Sequence, residues 1–191
     1  IKLISLQDHL GGTSINSYKK KAIETAIGLC SGTLLVNTDA DCTMGPQWLE
    51  TIAHCYAVEQ PEMIVMPVQI SPAKKFIEIF QSLDFMTLQG ITGAAVQQNL
   101  HSMCNGANLG FSAEAYHNLK ADAMNTSLAS GDDVFLMLAM KKAYGAEKIL
   151  FVKNKNAIVS ADAAESVAGL LRQRFRWVSK SKAYRDGFLI L

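Results

Sequence analysis

Features that mark several protein classes are scarce in this sequence of 191 residues. The 18 basic residues are balanced by 17 acidic ones, so the net charge of +1 gives no reason to expect nonspecific binding to nucleic acid. No apolar run is long enough to cross a bilayer, and the first residues lack the pattern of a signal peptide. The four cysteines show no Cys-x-x-Cys spacing, which argues against a zinc site and favours free thiols in a reducing compartment.

What the sequence has in quantity is apolar residues, at 49%, against 18% charged ones. That balance is typical of a globular protein, and the length suits one domain. The sequence starts at Ile1 without a Met and ends in the apolar run Phe188–Leu191. We therefore expect residues 1–191 to be a single, partial domain taken from a longer protein.

Short apolar runs alternate with segments of helical periodicity along the sequence. This alternation predicts an α/β fold with a mainly parallel sheet flanked by helices, whose ligands bind beyond the carboxyl ends of the strands. The predicted strands cover residues 1–6, 33–36, 63–68, 109–112, 149–152 and 157–159. The predicted helices cover residues 19–30, 48–58, 74–90 and 131–143, with a last helix that starts at a capping box in residues 162–165.

Two carboxylates, Asp39 and Asp41, directly follow the predicted strand at residues 33–36. Hard oxygen ligands at a strand end suit Mg²⁺ or Mn²⁺. The alternative is a solvated acidic turn with a helix cap, since acidic turns are common.

A second acidic pair, Asp132 and Asp133, begins the predicted helix at residues 131–143. Such a pair can supply a general base, and it also suits the N-cap of a helix. The two roles are compatible on neighbouring residues.

Three further segments contain residues able to bind a ligand. Gln173, Arg176 and Trp177 share one face of the last helix, where Arg can grip a phosphate and Trp can offer a flat ring. The alternative is a structural Trp beside a surface Arg.

Asn105–Asn108 forms a polar turn around Gly106, which is either a binding loop or an ordinary turn. Lys19 belongs to a basic cluster at a helix start, where a nearby anion would be favourable, although a solvated face is an alternative.

Taken in order, these motifs resemble a family 2 glycosyltransferase of the GT-A fold. The Gln-x-x-Arg-Trp element resembles the membrane-associated branch that builds polysaccharides or glycolipids. The resemblance implies a metal-dependent, inverting single displacement from a nucleotide-diphosphate sugar to a hydroxyl acceptor that is a carbohydrate or is linked to a lipid. It also places the parent protein in the cell membrane, with this domain as a soluble piece at the cytoplasmic face.

The resemblance implies a role for each matching residue. Asp133 would be the base and Asp132 its support, Asp41 would bind Mn²⁺ or Mg²⁺, and Asp39 and Lys19 would contact the donor. Gln173 and Arg176 would contact the donor diphosphate. The residues that would contact the acceptor are Asn105, Gly106, Asn108 and Trp177.

The sequence departs from the family at two points. Glu24 and Ala26 stand where the family helix usually has Asn and Gly. The family's first strands, with a nucleoside-binding acid, are expected before Ile1, so part of the donor pocket would lie outside this piece.

Two other classes of protein fit some of the same residues. Asp39-Ala40-Asp41-Cys42-Thr43 resembles the acidic box of haloacid-dehalogenase-like phosphohydrolases, in which Asp39 would be the nucleophile and Asp41 the acid and base. That alternative leaves the motif at Gln173–Trp177 without a role. The other alternative is a non-catalytic fragment that binds nucleotide sugars.

Overall fold

The computed structural model describes residues 2–11, 17–100, 103–119 and 132–181. Within these ranges the helices are α1 (Leu6–Leu10), α2 (Tyr18–Gly28), α3 (Trp48–Glu59), α4 (Phe76–Gln97), α5 (Ala113–Asn118), α6 (Asp132–Tyr144) and α7 (Val167–Ser181). The strands are β1 (Leu34–Thr38), β2 (Thr43–Met44), β3 (Met63–Val65), β4 (Val68–Ile70), β5 (Asn108–Ser112), β6 (Ile149–Phe151) and β7 (Val159–Ala161).

The larger sheet has the strand order β1-β5-β3-β6. Strand β5 runs antiparallel to both of its neighbours, and β3 pairs with β6 in parallel. Consequently β1, β3 and β6 point the same way, and β5 is inserted between β1 and β3 in the opposite direction. The predicted mixed α/β fold is confirmed, and the insertion of β5 explains why β1 and β3 are not hydrogen-bonded to each other.

A smaller sheet has the order β2-β7-β4, in which β7 pairs with β2 antiparallel and with β4 in parallel. The predicted strand at 63–68 divides between the two sheets, because it breaks at Met66 and Pro67. Proline has no N–H for a ladder, while the Pro67 carbonyl accepts a hydrogen bond from the Val159 N–H at 3.2 Å. The backbone therefore crosses from one sheet to the other at this point.

The predicted strand at 1–6 is wrong for residues 2–6. Residues 2–5 have no strand partner in the described part of the chain, and α1 begins at Leu6. Leu3 is 94% exposed, so no apolar contact stabilises an extended conformation there. Gly11 ends α1 in the left-handed conformation, with φ of 54°, which glycine adopts without strain.

The last helix starts later than the capping box at 162–165 predicts. The Gln81 side chain donates to the Ala164 carbonyl at 3.0 Å and accepts from the Ala164 N–H at 2.9 Å. These two bonds hold the backbone of Ala164 against α4, so the helix begins at Val167. Ser166 Oγ accepts from the Gly169 N–H at 3.1 Å and caps the helix in place of the predicted box.

The strand predicted at 157–159 is displaced to Val159–Ala161. Asn154 Oδ1 accepts from the Asn156 N–H at 2.9 Å and caps a short 3₁₀ turn over Lys155–Ala157. Because Ala157 belongs to this turn, pairing with β4 begins two residues later, at Val159.

Two apolar cores lie on opposite faces of the larger sheet. One is built from α2, α6 and the sheet, and includes Ile27, Met63 and Met137. The other lies under α3 and includes Trp48, Ile52 and Met66. A third, smaller cluster joins α4, α7 and the smaller sheet, and includes Phe85 and Trp177.

Asn108 is a buried polar connection between these parts, with no exposed surface. Its Oδ1 accepts from Trp48 Nε1 at 3.1 Å, and its Nδ2 donates to the carbonyls of Pro67 and Ala157, each at 2.7 Å. A single amide therefore connects α3, the crossing between the two sheets and the turn that precedes β7.

We expect Asn108→Ala to lower the free energy of unfolding by about 3 kcal/mol, because the buried Trp48 N–H and the Ala157 carbonyl lose this partner, while the Pro67 carbonyl keeps its bond from Val159. Urea unfolding followed by circular dichroism measures this loss. Asn154→Ala is the matched control, since Asn154 is exposed and makes one backbone hydrogen bond, and it should cost less than about 1 kcal/mol. Equal losses in the two variants would contradict a connecting role for Asn108.

Candidate functional site

The candidate site begins where β1 ends. Asp39 follows the last residue of β1, and its Oδ1 lies 2.6 Å from Lys19 Nζ in the first turn of α2. The pair is partly exposed, so it adds little stability but holds α2 beside the strand end. The Asp39 carbonyl accepts from the Cys42 N–H at 3.1 Å, which closes a tight turn that presents Asp41.

Asp41 is exposed at the tip of this turn, and Cys42 Sγ lies 3.9 Å from its Oδ1. Burial raises the pKa of the Cys42 thiol, and the carboxylates of Asp41 and Asp39 raise it further. The turn is therefore a concentrated negative surface next to a thiol that stays protonated.

The loop around Gly106 connects β1 to α6. The Asn37 side chain, on β1, donates to the Gly106 carbonyl, and the Gly106 N–H donates to Asp133 Oδ2 at 2.8 Å. Asn105 Oδ1 accepts from the Ala107 N–H at 3.0 Å, which keeps the turn tight. A Cβ added at Gly106 would lie 3.4 Å from Asp133 Oδ2, at the edge of ordinary van der Waals contact, so the carboxylate lies directly beside this backbone.

Asp133 lies at the start of α6, as predicted, and is partly buried. Its Oδ1 accepts from the Val134 N–H at 3.0 Å, so both carboxylate oxygens are oriented by backbone N–H groups. The side chain of Asp132 lies outside the described residues.

Helix α7 is held against α4 beside this loop. Arg174 forms an ion pair with Asp84 and lies over the Trp177 ring, 4.7 Å from its centroid. The Trp177 ring packs 6.0 Å from the Phe85 ring. Trp177 also joins an apolar cluster that contains Ala107 of the loop and Cys42 of the acidic turn.

The structure therefore brings residues of four predicted motifs together. These are the turn at Asp39–Asp41, the loop at Asn105–Asn108, Asp133 at the start of α6, and the helix that carries Trp177. On that helix Gln173 is half-buried and Arg176 is exposed. Asn108 lies under the loop rather than on its surface, with its amide bonded within the protein. One face of the Trp177 ring is covered by Arg174.

The described residues fit a divalent cation only in part. No group of three or more His, Cys, Asp or Glu side chains gathers in the described ranges, so a preformed metal cage is absent there. The exposed Asp41 carboxylate suits an ion that keeps waters and takes its other ligands from phosphates, which is how Mg²⁺ commonly binds.

Sequence reasoning missed several residues that build this site. Asn37 fixes the Gly106 loop, Asp84 and Arg174 fix α7, and Trp48 fixes Asn108. An Asn inside an apolar strand two residues before Asp39 is a signal that could have been used. The ion pair between Asp84 of α4 and Arg174 of α7 leaves no such signal, because the two residues are 90 positions apart in the sequence.

No protein-family model matches the chain, and no curated protein sequence matches it. Solved structures do match. Glucosyl-3-phosphoglycerate synthase from Mycobacterium tuberculosis in complex with phosphoglyceric acid has a TM-score of 0.58 at 14% identity, covering 96% of this chain and 60% of that chain. The same enzyme in complex with Mn²⁺ and uridine-diphosphate-glucose has a TM-score of 0.57 at 16% identity, with the same coverage.

Mannosyl-3-phosphoglycerate synthase from Rubrobacter xylanophilus matches with a TM-score of 0.52 at 14% identity, covering 96% of this chain and 56% of that chain. The chain thus spans about 60% or less of the length of these structures. Its fold is of the GT-A glycosyltransferase type, and the predicted fold class is confirmed.

The reactivity of the Cys104 thiol depends on the nearby Asp133 carboxylate. The thiol packs against the core, where desolvation raises its pKa well above the usual value and the Asp133 carboxylate raises it further. We expect iodoacetamide at pH 8 to alkylate Cys104 at least about tenfold more slowly than the exposed Cys30, because the thiolate is the reactive form.

Asp133→Asn should speed alkylation of Cys104 at high pH, because it removes one cause of the raised pKa. Asp39→Asn is the control, since Asp39 raises the pKa of Cys42 and should leave Cys104 unchanged. Mass spectrometry of the alkylated peptides measures each rate. An identical Cys104 rate in wild type and Asp133→Asn would contradict the proximity of the two side chains.

Proposed function

We propose that this chain is the catalytic part of a glycosyltransferase that moves a sugar from a nucleotide-diphosphate sugar to a hydroxyl acceptor, with inversion. The observation that carries the proposal is the link from β1 through Gly106 to α6. This link joins the strand that ends in Asp39 and Asp41 to the helix that begins with Asp133. The GT-A-type fold supports the same reaction class.

The donor side is assigned to the end of β1 and the nearby helices. Asp39 and its partner Lys19 would contact the ribose or the diphosphate, and Gln173 and Arg176 would hold the diphosphate from α7. Asp41 would hold Mn²⁺ or Mg²⁺, which when bound neutralises charge on the departing diphosphate. One solved structure of this fold contains both Mn²⁺ and a nucleotide sugar, which supports a divalent metal for this chain.

Asp133 is assigned as the general base. Its two oxygens each accept one backbone N–H, which fixes the carboxylate while leaving lone pairs for a proton. Asp133 would take the proton of the acceptor hydroxyl as that oxygen bonds to the anomeric carbon and the bond to the diphosphate breaks. Asp132 is proposed to support Asp133.

The acceptor side is assigned to the loop at Asn105 and Gly106, which borders Asp133. Asn108 would act indirectly by holding the loop in place, since its side chain is fully buried and its amide is bonded within the protein. Arg174 lies over one face of the Trp177 ring. Trp177 would therefore contact the acceptor with the edge of its ring or with the opposite face.

Two substitutions separate donor binding from turnover. A nucleoside diphosphate with Mn²⁺, at 100-fold excess over its Kd, should stabilise the wild type by about 2.7 kcal/mol in a thermal-shift assay, and Asp41→Ala should lose this metal-dependent shift. Asp133→Asn should keep this thermal shift. It should lower the rate at which the nucleoside diphosphate is released from the sugar nucleotide by a factor of about 10² to 10⁴. UDP, GDP and ADP, with the matching sugar nucleotides, are the probes.

Asp8→Asn is the control for both measurements, since Asp8 is an exposed carboxylate outside the site. Binding without turnover in the wild type would favour the non-catalytic alternative. Hydrolysis of simple phosphate esters that is lost in Asp39→Asn would favour the phosphohydrolase. Unchanged turnover in Asp133→Asn would contradict the assigned base.

The finer proposal is that the acceptor is a growing polysaccharide or a glycolipid, and that the parent protein works at the cytoplasmic face of the cell membrane. An apolar surface on α4 and α7 supports it. Phe76, Phe80 and Leu83 lie on one exposed face of α4, while Leu171 and Phe175 lie on an exposed face of α7.

Helix α7 has no acidic residue and carries the exposed Arg172, whereas Arg174 is paired with Asp84 and Arg176 is assigned to the donor. A helix with arginines and exposed aromatic side chains suits an anionic lipid surface. In the described ranges, none of the helices combines the length and apolarity needed to cross a membrane.

We expect the protein to bind vesicles that contain anionic lipid. The double variant Phe76→Ser/Phe175→Ser should reduce the bound fraction at least about tenfold, because it removes two large exposed apolar groups that would enter the interface. Leu49→Ser/Val58→Ser on α3 is the matched control, as both residues are 61% exposed, and it should bind like wild type. Equal binding of the two double variants in a sedimentation assay would contradict this surface.

A further inference from the structure

Lys20 is a buried cation without a hydrogen-bond partner. Its side chain is 7% exposed, and Nζ contacts no acceptor in the described part of the chain. Lysine is rarely buried unless it is paired, because removing an ammonium from water is costly. The three N–H groups can only donate, so an acceptor that the described residues do not supply is required.

The position of Lys20 shows where that acceptor would lie. Lys20, Ile23 and Ile27 are spaced along one face of α2, and both isoleucines pack into the core beside Leu35 of β1. The Lys19–Asp39 pair fixes the first turn of α2 at the carboxyl end of β1. The Lys20 side chain is thus on the sheet-facing side of α2, at the same end of the sheet as Asp39.

The start of α2 adds a second attraction for an anion. The helix has eleven residues, and its first turn contains Lys19–Lys21 and no acidic residue. Ser17 already accepts from the Lys20 and Lys21 N–H groups, and the partial positive charge of the helix start still favours an anion. Lys19 is engaged with Asp39 and Lys21 is exposed, so Lys20 is the buried charge of the three.

We propose that Lys20 binds a phosphate group, and that this phosphate belongs to the diphosphate of the nucleotide donor. The second part of the proposal rests on the proposed function, whereas the first does not. Lys20 would then bind phosphate without help from a metal, on the side of Asp39 that faces α2.

The test compares Lys20→Met with Lys21→Met, a matched pair in which one lysine is buried and the other exposed. In a buffer containing EDTA, the Kd of pyrophosphate and of UDP should rise at least about tenfold in Lys20→Met, because a charge-assisted contact is lost. In Lys21→Met both values should stay within about twofold of wild type. Lys20→Arg, which keeps the charge, should retain part of the binding.

The melting temperature without ligand provides an independent readout. Lys20→Met should melt at or above the wild-type temperature, because it removes an unpaired buried charge. A lower melting temperature, together with wild-type affinity for pyrophosphate, would overturn the proposal and make Lys20 a structural residue. The absence of pyrophosphate binding in the wild type would also overturn it.

The same titrations separate this inference from the proposed function. Binding of UDP with Mn²⁺ that depends on Asp41 but not on Lys20 would leave the donor site standing and remove Lys20 from it. Binding of pyrophosphate that depends on Lys20, without binding of any nucleotide, would support the phosphate site and contradict the donor.

Discussion

The backbone of Gly106 is the point on which the candidate site depends. Its carbonyl is held by Asn37 on β1, and its N–H is held by Asp133 on α6. These two bonds link the strand that leads into the acidic turn to the carboxylate at the start of α6. The Asp133 carboxylate thus lies directly beside the Gly106 backbone.

The loop is in turn held from below and from the side. Asn108 is fixed by three hydrogen bonds inside the protein, and Ala107 packs in the cluster that contains Trp177. Helix α7 reaches this cluster because Arg174 pairs with Asp84 on α4. Polar contacts therefore set the positions of the loop and of α7, while the apolar cluster excludes water between them.

Much of the fold could be predicted from periodicity, because helices α2, α3, α4 and α6 bury one apolar face each. The motif at Asp39–Asp41 could also be placed at a strand end, since a short apolar run directly precedes it. Register and strand order could not be predicted. The antiparallel insertion of β5 depends on pairing between residues far apart in sequence, such as Leu35 with Phe111.

The errors have local physical causes. Two hydrogen bonds from Gln81 hold Ala164 outside the last helix, and these bonds join residues 83 positions apart. From the sequence, Asn108 is predicted to lie in a polar loop and to contact the acceptor. In the folded chain its side-chain amide is buried. Candidate site residues could be proposed from the sequence where their chemistry identifies them, as with Asp39 and Asp133. A residue whose role depends on packing and hydrogen bonding in the folded chain, such as Asn37, could not.

A crystal structure of the protein with UDP and Mn²⁺ tests the central claim most directly, because the anomalous signal of manganese locates the ion independently. The account predicts Mn²⁺ bound directly to an Asp41 carboxylate oxygen and to the diphosphate, with the nucleotide at the carboxyl end of β1. Asp133 should face the same space from across the Gly106 loop. A nucleotide bound elsewhere, or manganese bound away from Asp41, would contradict the account.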